Sequence, residues 1–198
     1  MPVDIEIPSP KVAIVRFKRG MQQGLLGRIS RSCIMEYHAF GIISEGTHAK
    51  YHYMICGVQG DFTRSLVNDP PATLWTRELK FAGVSNTSTL YKRGVRICTG
   101  TGVGAALSTC IQSPNWFLIW IGSDQEKTFG PTISGLIYRH IPPERYAWPT
   151  DWGLEVCLQS SPGTSCGTVR HEGMFIGELS AIEHDFLMHI FLGDDLTQ

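Results

Sequence analysis

The chain has 198 residues, 17 lysines and arginines against 18 aspartates and glutamates, and a formal net charge of −1, with no basic run. That balance argues against nucleic acid as a partner, and the longest apolar run is far too short to span a bilayer. The length allows one good core or two small domains. Met1–Glu6 carries acidic residues and no apolar stretch, so it does not read as a secretory leader, and a soluble, cytoplasmic location is expected.

In chain order, Ile5 to Pro10 reads as a proline-rich lead, Lys11 to Phe17 as a strand, and Lys18 to Gly27 as a loop of glycine and glutamine. Tyr37 to Ser44 and Tyr51 to Val58 are strand candidates joined by the turn-like Glu45-Gly46-Thr47-His48, which suggests an antiparallel sheet or barrel wall. Gly57 and Gly60 bracket a tight turn, and Asp61-Phe62-Thr63 fits the start of a helix capped by Asp61.

Gly94 to Leu107 is the most informative stretch. A short apolar run meets Thr99-Gly100-Thr101-Gly102 and opens into Val103 to Gln112, where Val103, Ala106, Leu107, Cys110 and Ile111 make a helical stripe. Ser113-Pro114-Asn115 breaks that helix, and Trp116 to Ile121 is an apolar run of the kind a parallel strand shows when both faces are covered. The unit is βαβ. Gly100 and Gly102 suit positive φ and let backbone approach a pyrophosphate at the helix N-terminus, while Ala105 permits close packing. An ordinary strand-turn-helix with no ligand explains the same residues.

Beyond Arg145-Tyr146-Ala147-Trp148 no second apolar parallel strand is evident, and Gly177 to Phe191 places Leu179, Ile182, Phe186, His189 and Ile190 on one helical face. The six cysteines, at 33, 56, 98, 110, 157 and 166, form no C-x-x-C pair and read as buried thiols. No metal site is expected, since His48 and His52 share only a four-residue spacing from loop into strand.

Three motifs in order then resemble the ferredoxin reductase and ferric reductase family. Glu36-Tyr37-His38-Ala39-Phe40-Gly41-Ile42, preceded by Ile29-Ser30-Arg31-Ser32, is similar to its flavin-binding strand. Gly57 to Leu66 is similar to the strand end and helix that meet the flavin pyrophosphate, and Thr99 to Gly104 to its nicotinamide motif. The resemblance covers about residues 28 to 140, and within the family it points to fungal reductase-like domains associated with adenylate-forming proteins.

The resemblance implies a partial antiparallel β-barrel flavin lobe over residues 28–92, after a lead over 1–27. An α/β Rossmann-like nucleotide lobe follows over 93–148, then a divergent segment over 149–198. The implied cofactors are FAD and NADP or NAD. Ser32, His38 and Phe40 would line the flavin, Gly60 and Thr63 would meet its phosphates, and Thr99, Gly100 and Gly102 would hold the nicotinamide nucleotide. Ser123, with Asp124 and Lys127 in the same loop, would meet the adenosine ribose, and Ser123 with a basic residue leans toward the phosphorylated cofactor. Arg31 and Arg28 are alternative phosphate contacts, and Ser165-Cys166-Gly167-Thr168 is faintly similar to the family's Cys-Gly turn. His38 and Phe40 also fit a half-buried pair on one strand face. The implied partners are a nicotinamide nucleotide, an electron acceptor and a larger biosynthetic enzyme. The function expected is a flavin-dependent NAD(P)H oxidoreductase, with a non-catalytic partner or regulatory domain as the alternative.

Overall fold

A computed structural model describes residues 1–18, 25–32, 34, 36–46, 48–77 and 81–149, together with the backbone of strands over 174–182 and 185–192. The first half is an antiparallel sheet of β1 (Asp4–Ser9), β2 (Val12–Phe17), β3 (Leu25–Ser30), β4 (His38–Ser44), β5 (His52–Gly57), β6 (Trp75–Thr76) and β7 (Phe81–Ala82), with α1 (Asp61–Asn68) between β5 and β6. The strands run in the order β1-β2-β5-β4-β3-β6, and β7 also pairs with β3. An isolated bridge between Pro2 and Thr73 joins the start of β1 to the segment leading into β6, so the sheet curls until its ends meet at that point. The wall is the partial antiparallel barrel that the sequence implies.

Two expectations change here. The proline-rich lead is β1, which pairs along β2 through Asp4↔Arg16 and Ile5↔Val15. The glycine and glutamine loop ends early, because Leu25 already begins β3, held by the register Leu26↔Gly41 to Ile29↔His38. Gly27 and Arg28 interrupt the apolar alternation there, so local pattern alone does not report the strand.

The second half holds β8 (Gly94–Thr99), α2 (Val103–Gln112), β9 (Trp116–Ile121), α3 (Gln125–His140), β10 (Tyr146–Ala147), β11 (Met174–Ile182) and β12 (Asp185–Leu192). Its sheet order is β10-β9-β8-β12-β11. β8, β9 and β10 are parallel, as a Rossmann-like βαβ unit requires, whereas β12 runs antiparallel to β8 and β11 antiparallel to β12. The helix expected over Gly177 to Phe191 is therefore a strand pair. Its apolar run fits a buried strand as well as a helix, and the open edge of β8 supplies the backbone partners that decide for strand. Cys166 and its neighbours lie outside the described residues.

The two halves share their interior through β2. Ala13, Val15 and Phe17 face the barrel core with Ile29, Ile42, Met54, Leu66 and Leu74. Val12 and Ile14 face the other way, into a core with Ile43, Ile55, Leu107, Trp116, Trp120, Phe129 and Ile137. That double burial explains why β2 reads as a continuous apolar run.

Helix α2 lies directly on β4. A Cβ at Gly41 would stand 2.7 Å from the Gly104 carbonyl oxygen and 2.8 Å from Ala105 Cα, so this approach requires glycine. Ser108 Oγ donates to the Ile42 carbonyl at 2.7 Å and accepts from the Ser44 N–H at 2.8 Å, while Gln112 Nε2 donates to the Ser44 carbonyl at 2.7 Å. α3 is broken at Gly130 (φ 72°, ψ 178°) and Pro131, and the break rests on β1, where Glu6 accepts from Thr132 Oγ1 at 2.5 Å. A methyl group at Gly130 would come 2.7 Å from Pro8 Cβ.

Replacing Gly41 by Ala should destabilise the fold by about 1–3 kcal/mol, because both obstructing groups are backbone and cannot swing aside. Gly135→Ala in α3, where a Cβ meets open space, should instead stabilise by about 0.5–1 kcal/mol. Urea unfolding of the two variants checks the opposite signs.

His52 is fully buried with Nδ1 2.8 Å from Ser44 Oγ, and burial pushes its imidazole below the usual 6.5, against a smaller upward pull from Glu45. The unfolded chain therefore binds a proton more readily than the folded one. This contribution to stability is complete above pH 6.5 and is lost as the pH falls below that value through the lowered folded pKa. Unfolding free energies measured from about pH 8 to pH 5 should show that loss. The slope should flatten in His52→Gln.

Candidate functional site

The residues singled out in the sequence gather into two adjoining groups. The first surrounds the end of the barrel where β3 stops and β4 begins. His38 stacks on Phe62 of α1 with ring centroids 4.1 Å apart and planes within 15°, and Phe40 lies 6.4 Å from the same ring. His38 Nε2 is buried without a hydrogen-bond partner among the described residues, and the Glu36 carboxylate is 3.5 Å away. Ser32 is exposed just beyond β3, with its N–H bonded to Ser30 Oγ at 3.0 Å.

Gly60 and Thr63 lie at the start of α1. The cap is Gly60, not Asp61. Thr63 Oγ1 accepts from the N–H groups of Gln59 (3.0 Å) and Gly60 (3.1 Å) and donates to the Gly60 carbonyl at 3.1 Å. Its hydroxyl thus holds the turn itself. Asp61 is exposed and pairs with Arg64 at 3.2 Å. A Cβ at Gly60 would meet nothing within 4 Å, so the backbone there is open to a ligand.

Arg31 is committed elsewhere. Its guanidinium donates to the Ser65 carbonyl at 2.8 Å and pairs with Asp69 at 2.6 Å, which satisfies the last turn of α1. Arg28, the alternative phosphate contact, sits half-buried in β3.

The second group stands at the carboxyl ends of β8 and β9. The parallel register sets Thr99 against Ile121, so the turn Gly100–Gly102 and the loop beginning at Gly122 lie side by side. Open α/β sheets bind their ligands outside the carboxyl ends of the strands, the edge on which both segments stand. Gly100 has φ +46°, which a side chain would strain, whereas Gly102 has φ −56° and is an ordinary helical N-cap. Positive φ is therefore used at one of the two glycines only. No side chain caps α2, whose N-terminus opens directly from that turn.

Ser123 and Asp124 are exposed, and Asp124 is the non-glycine residue with positive φ (54°) among the described residues, a conformation aspartate tolerates better than most. Lys127 is exposed in the first turn of α3. The groups meet where β5 ends: a Cβ at Gly57 would stand 3.1 Å from Thr101 Cγ2.

Three contributors are not legible as site residues from spacing. Phe62 is the ring on which His38 stacks. Trp120 Nε1 donates to the Gly100 carbonyl at 2.9 Å, and an indole in a buried strand signals the need for such an acceptor. Arg96 of β8 is fully buried under α2, donates to Thr109 Oγ1 at 3.3 Å and lies 4.7 Å from the Trp116 ring centre. Burial pulls its guanidinium down to about 10, so it stays charged at neutral pH. Cys98 and Cys110 are buried free thiols, and burial raises Cys110 to about 12, far from a reactive thiolate.

Thr63→Val should cost roughly 0.5–2 kcal/mol, since two N–H groups lose their acceptor, and Thr63→Ser should recover most of it. Chemical unfolding of both variants reads the difference. A valine variant as stable as the parent would show that the hydroxyl does not hold this turn.

Residues 84–153 match the family model of the C-terminal domain of adenylate-forming reductase 03009. Adenylate-forming reductase 06235 of Coprinopsis cinerea is 27% identical over 121 residues, which is 60% of this chain and 12% of that protein. Among solved structures, a ferredoxin NADP+ reductase from Neisseria gonorrhoeae with bound FAD and NADP superimposes with TM-score 0.55 at 13% identity, over 74% of this chain and 65% of that one. The ferredoxin-NADP+ reductase of Plasmodium falciparum gives TM-score 0.54 at 10% identity, over 75% and 68%. The chain thus spans about an eighth of the curated relative, and the structural matches show a shared fold. In sequence it is similar to the C-terminal domain of the adenylate-forming reductases, and its fold is that of the ferredoxin-NADP+ reductases.

Proposed function

We propose that this chain is a flavin-dependent NAD(P)H oxidoreductase module, with the flavin at the His38 end of the barrel and the nicotinamide nucleotide at the Gly100 turn. The observation that supports the reading is the close approach of Gly57 to Thr101, which sets the end of β5 against the Gly100 turn. The residues fit those occupants. His38 offers a ring nitrogen that makes no hydrogen bond among the described residues to a polar heterocycle edge, Phe40 offers an apolar surface, and Gly60 offers open backbone at a helix start. The N-terminus of α2, which no side chain caps, presents the positive end of the helix to a pyrophosphate.

When bound, a flavin takes a hydride from a reduced nicotinamide and releases single electrons. The chain's own residues align the two groups and exclude water between them. For the second cofactor the phosphorylated form is favoured, because Ser123 and Lys127 stand exposed at the end of β9, where a 2′-phosphate would lie, although Asp124 shares that loop. The likeness to adenylate-forming reductases supports work beside a larger biosynthetic enzyme in specialised metabolism. One observation favours a second reading, that of a non-catalytic partner domain: an antiparallel strand pair occupies the edge of β8.

The purified chain is expected to be yellow and to bind NADP+. Replacing His38 and Phe40 together by Ala should lower flavin affinity, as a stacking surface and a polar contact go. Gly100→Val should abolish NADP+ binding, measured by calorimetry, and lower the melting temperature as well, since valine is strained at φ +46°. A colourless chain that takes up no added flavin would decide for the non-catalytic reading, and equal NADP+ affinity in Gly100→Val would remove the nucleotide from this turn.

A further inference from the structure

We propose that Trp120 is a positioning residue that holds the two nucleotide-facing loops in register, the phosphate turn through its indole N–H and the ribose loop through its backbone carbonyl. The inference rests on the nucleotide reading given above and extends it to a residue that would touch no ligand.

Trp120 is fully buried in β9, and its position is fixed by its neighbours. Phe129 of α3 meets it edge-on at 4.8 Å and Trp148 at 5.6 Å, so the indole has one orientation. In that orientation Nε1 donates to the Gly100 carbonyl at 2.9 Å. Gly100 is the residue with φ +46°, so the bond grips the turn at its least intrinsically preferred point.

The same residue reaches the other loop. The Trp120 carbonyl accepts from the buried Gln125 Nε2 at 3.0 Å. Gln125 directly follows Asp124, whose φ is 54°, and it underlies Gly122, whose φ is 151° and whose Cβ position is 3.5 Å from Gln125 Nε2. Gly122 N–H is in turn fixed to the Pro149 carbonyl at 2.9 Å. Both loops therefore hang from one strand residue through two hydrogen bonds, each made at a backbone segment of uncommon φ. A phosphate turn that relaxed would turn its N–H groups away from the pyrophosphate and weaken binding with the fold intact.

Trp120→Phe keeps a ring in the core and removes only the indole N–H and its benzo ring. In the 198-residue chain this variant should bind NADP+ and ADP about 3- to 12-fold more weakly, the effect of one net hydrogen bond, and leave flavin affinity within about twofold. Adenosine, which carries no phosphate, should bind parent and variant alike. A merely structural tryptophan would lower the melting temperature and weaken all of these ligands together, which would overturn the proposal. Unchanged ADP affinity in a folded variant would overturn it as well. A parent that binds neither NADP+ nor ADP would instead sink the nucleotide reading, and this proposal with it.

A second measurement needs no fold-sensitive variant at Trp120. In the ¹⁵N-labelled parent, the Trp120 indole signal, assigned by replacing the other four tryptophans one at a time, should be slow to exchange with solvent and should shift when ADP but not adenosine is added. A fast-exchanging signal, or one indifferent to ADP, would defeat the assignment.

Discussion

The contact on which the arrangement depends is the seating of α2 on β4. One helix serves both halves: its N-terminus opens from the Gly100 turn, and its flank lies along the strand that begins with His38. Gly41, next to Phe40, is where the backbones come closest, against Gly104 and Ala105. Three hydrogen bonds from Ser108 and Gln112 to Ile42 and Ser44 then fix the register of helix on strand. The separation between the barrel end and the Gly100 turn is set by this docking.

The surrounding structure makes that docking rigid. β2 carries apolar side chains on both faces, so the barrel core and the core beneath α2 share a wall. The break in α3 bends the helix onto β1, where Glu6 and Pro8 receive it, giving a second junction remote from the cleft. Arg145 closes the far side, donating to the carbonyls of Cys110, Ser113 and Trp116 and so terminating α2 where β9 begins. These contacts resist relative motion of the halves, which the proposed hydride transfer would require.

Much of this was legible in the residues. The stripe in Val103 to Gln112, the break at Pro114 and the apolar run Trp116 to Ile121 carry strong periodicity, and α2 and β9 have those boundaries. The three motifs and their order gave the fold of both halves. Signals that depend on tertiary partners were not legible. Ala105, the small third residue of the glycine fingerprint, does stand at a close helix-to-strand approach, but that the strand is β4, at Gly41, depends on tertiary partners. Asp61 has the chemistry of a cap, yet Gly60 is the cap, Thr63 reaches back to the Gln59 and Gly60 N–H groups, and Asp61 turns to Arg64. Arg31 has the chemistry of a phosphate contact, but the end of α1 takes its guanidinium. The strand pair over Met174–Ile182 and Asp185–Leu192 required knowledge that β8 had an edge to fill.

The central claim is that the two groups of residues form one redox cleft, not two separate binding surfaces. The most direct measurement is anaerobic mixing of the flavin-loaded chain with NADPH, following the flavin absorbance in a stopped-flow instrument. Bleaching by one equivalent of NADPH per flavin, slowed when the transferred hydrogen is deuterium, is the result the account predicts. A flavin that stays oxidised while NADPH is bound would contradict it.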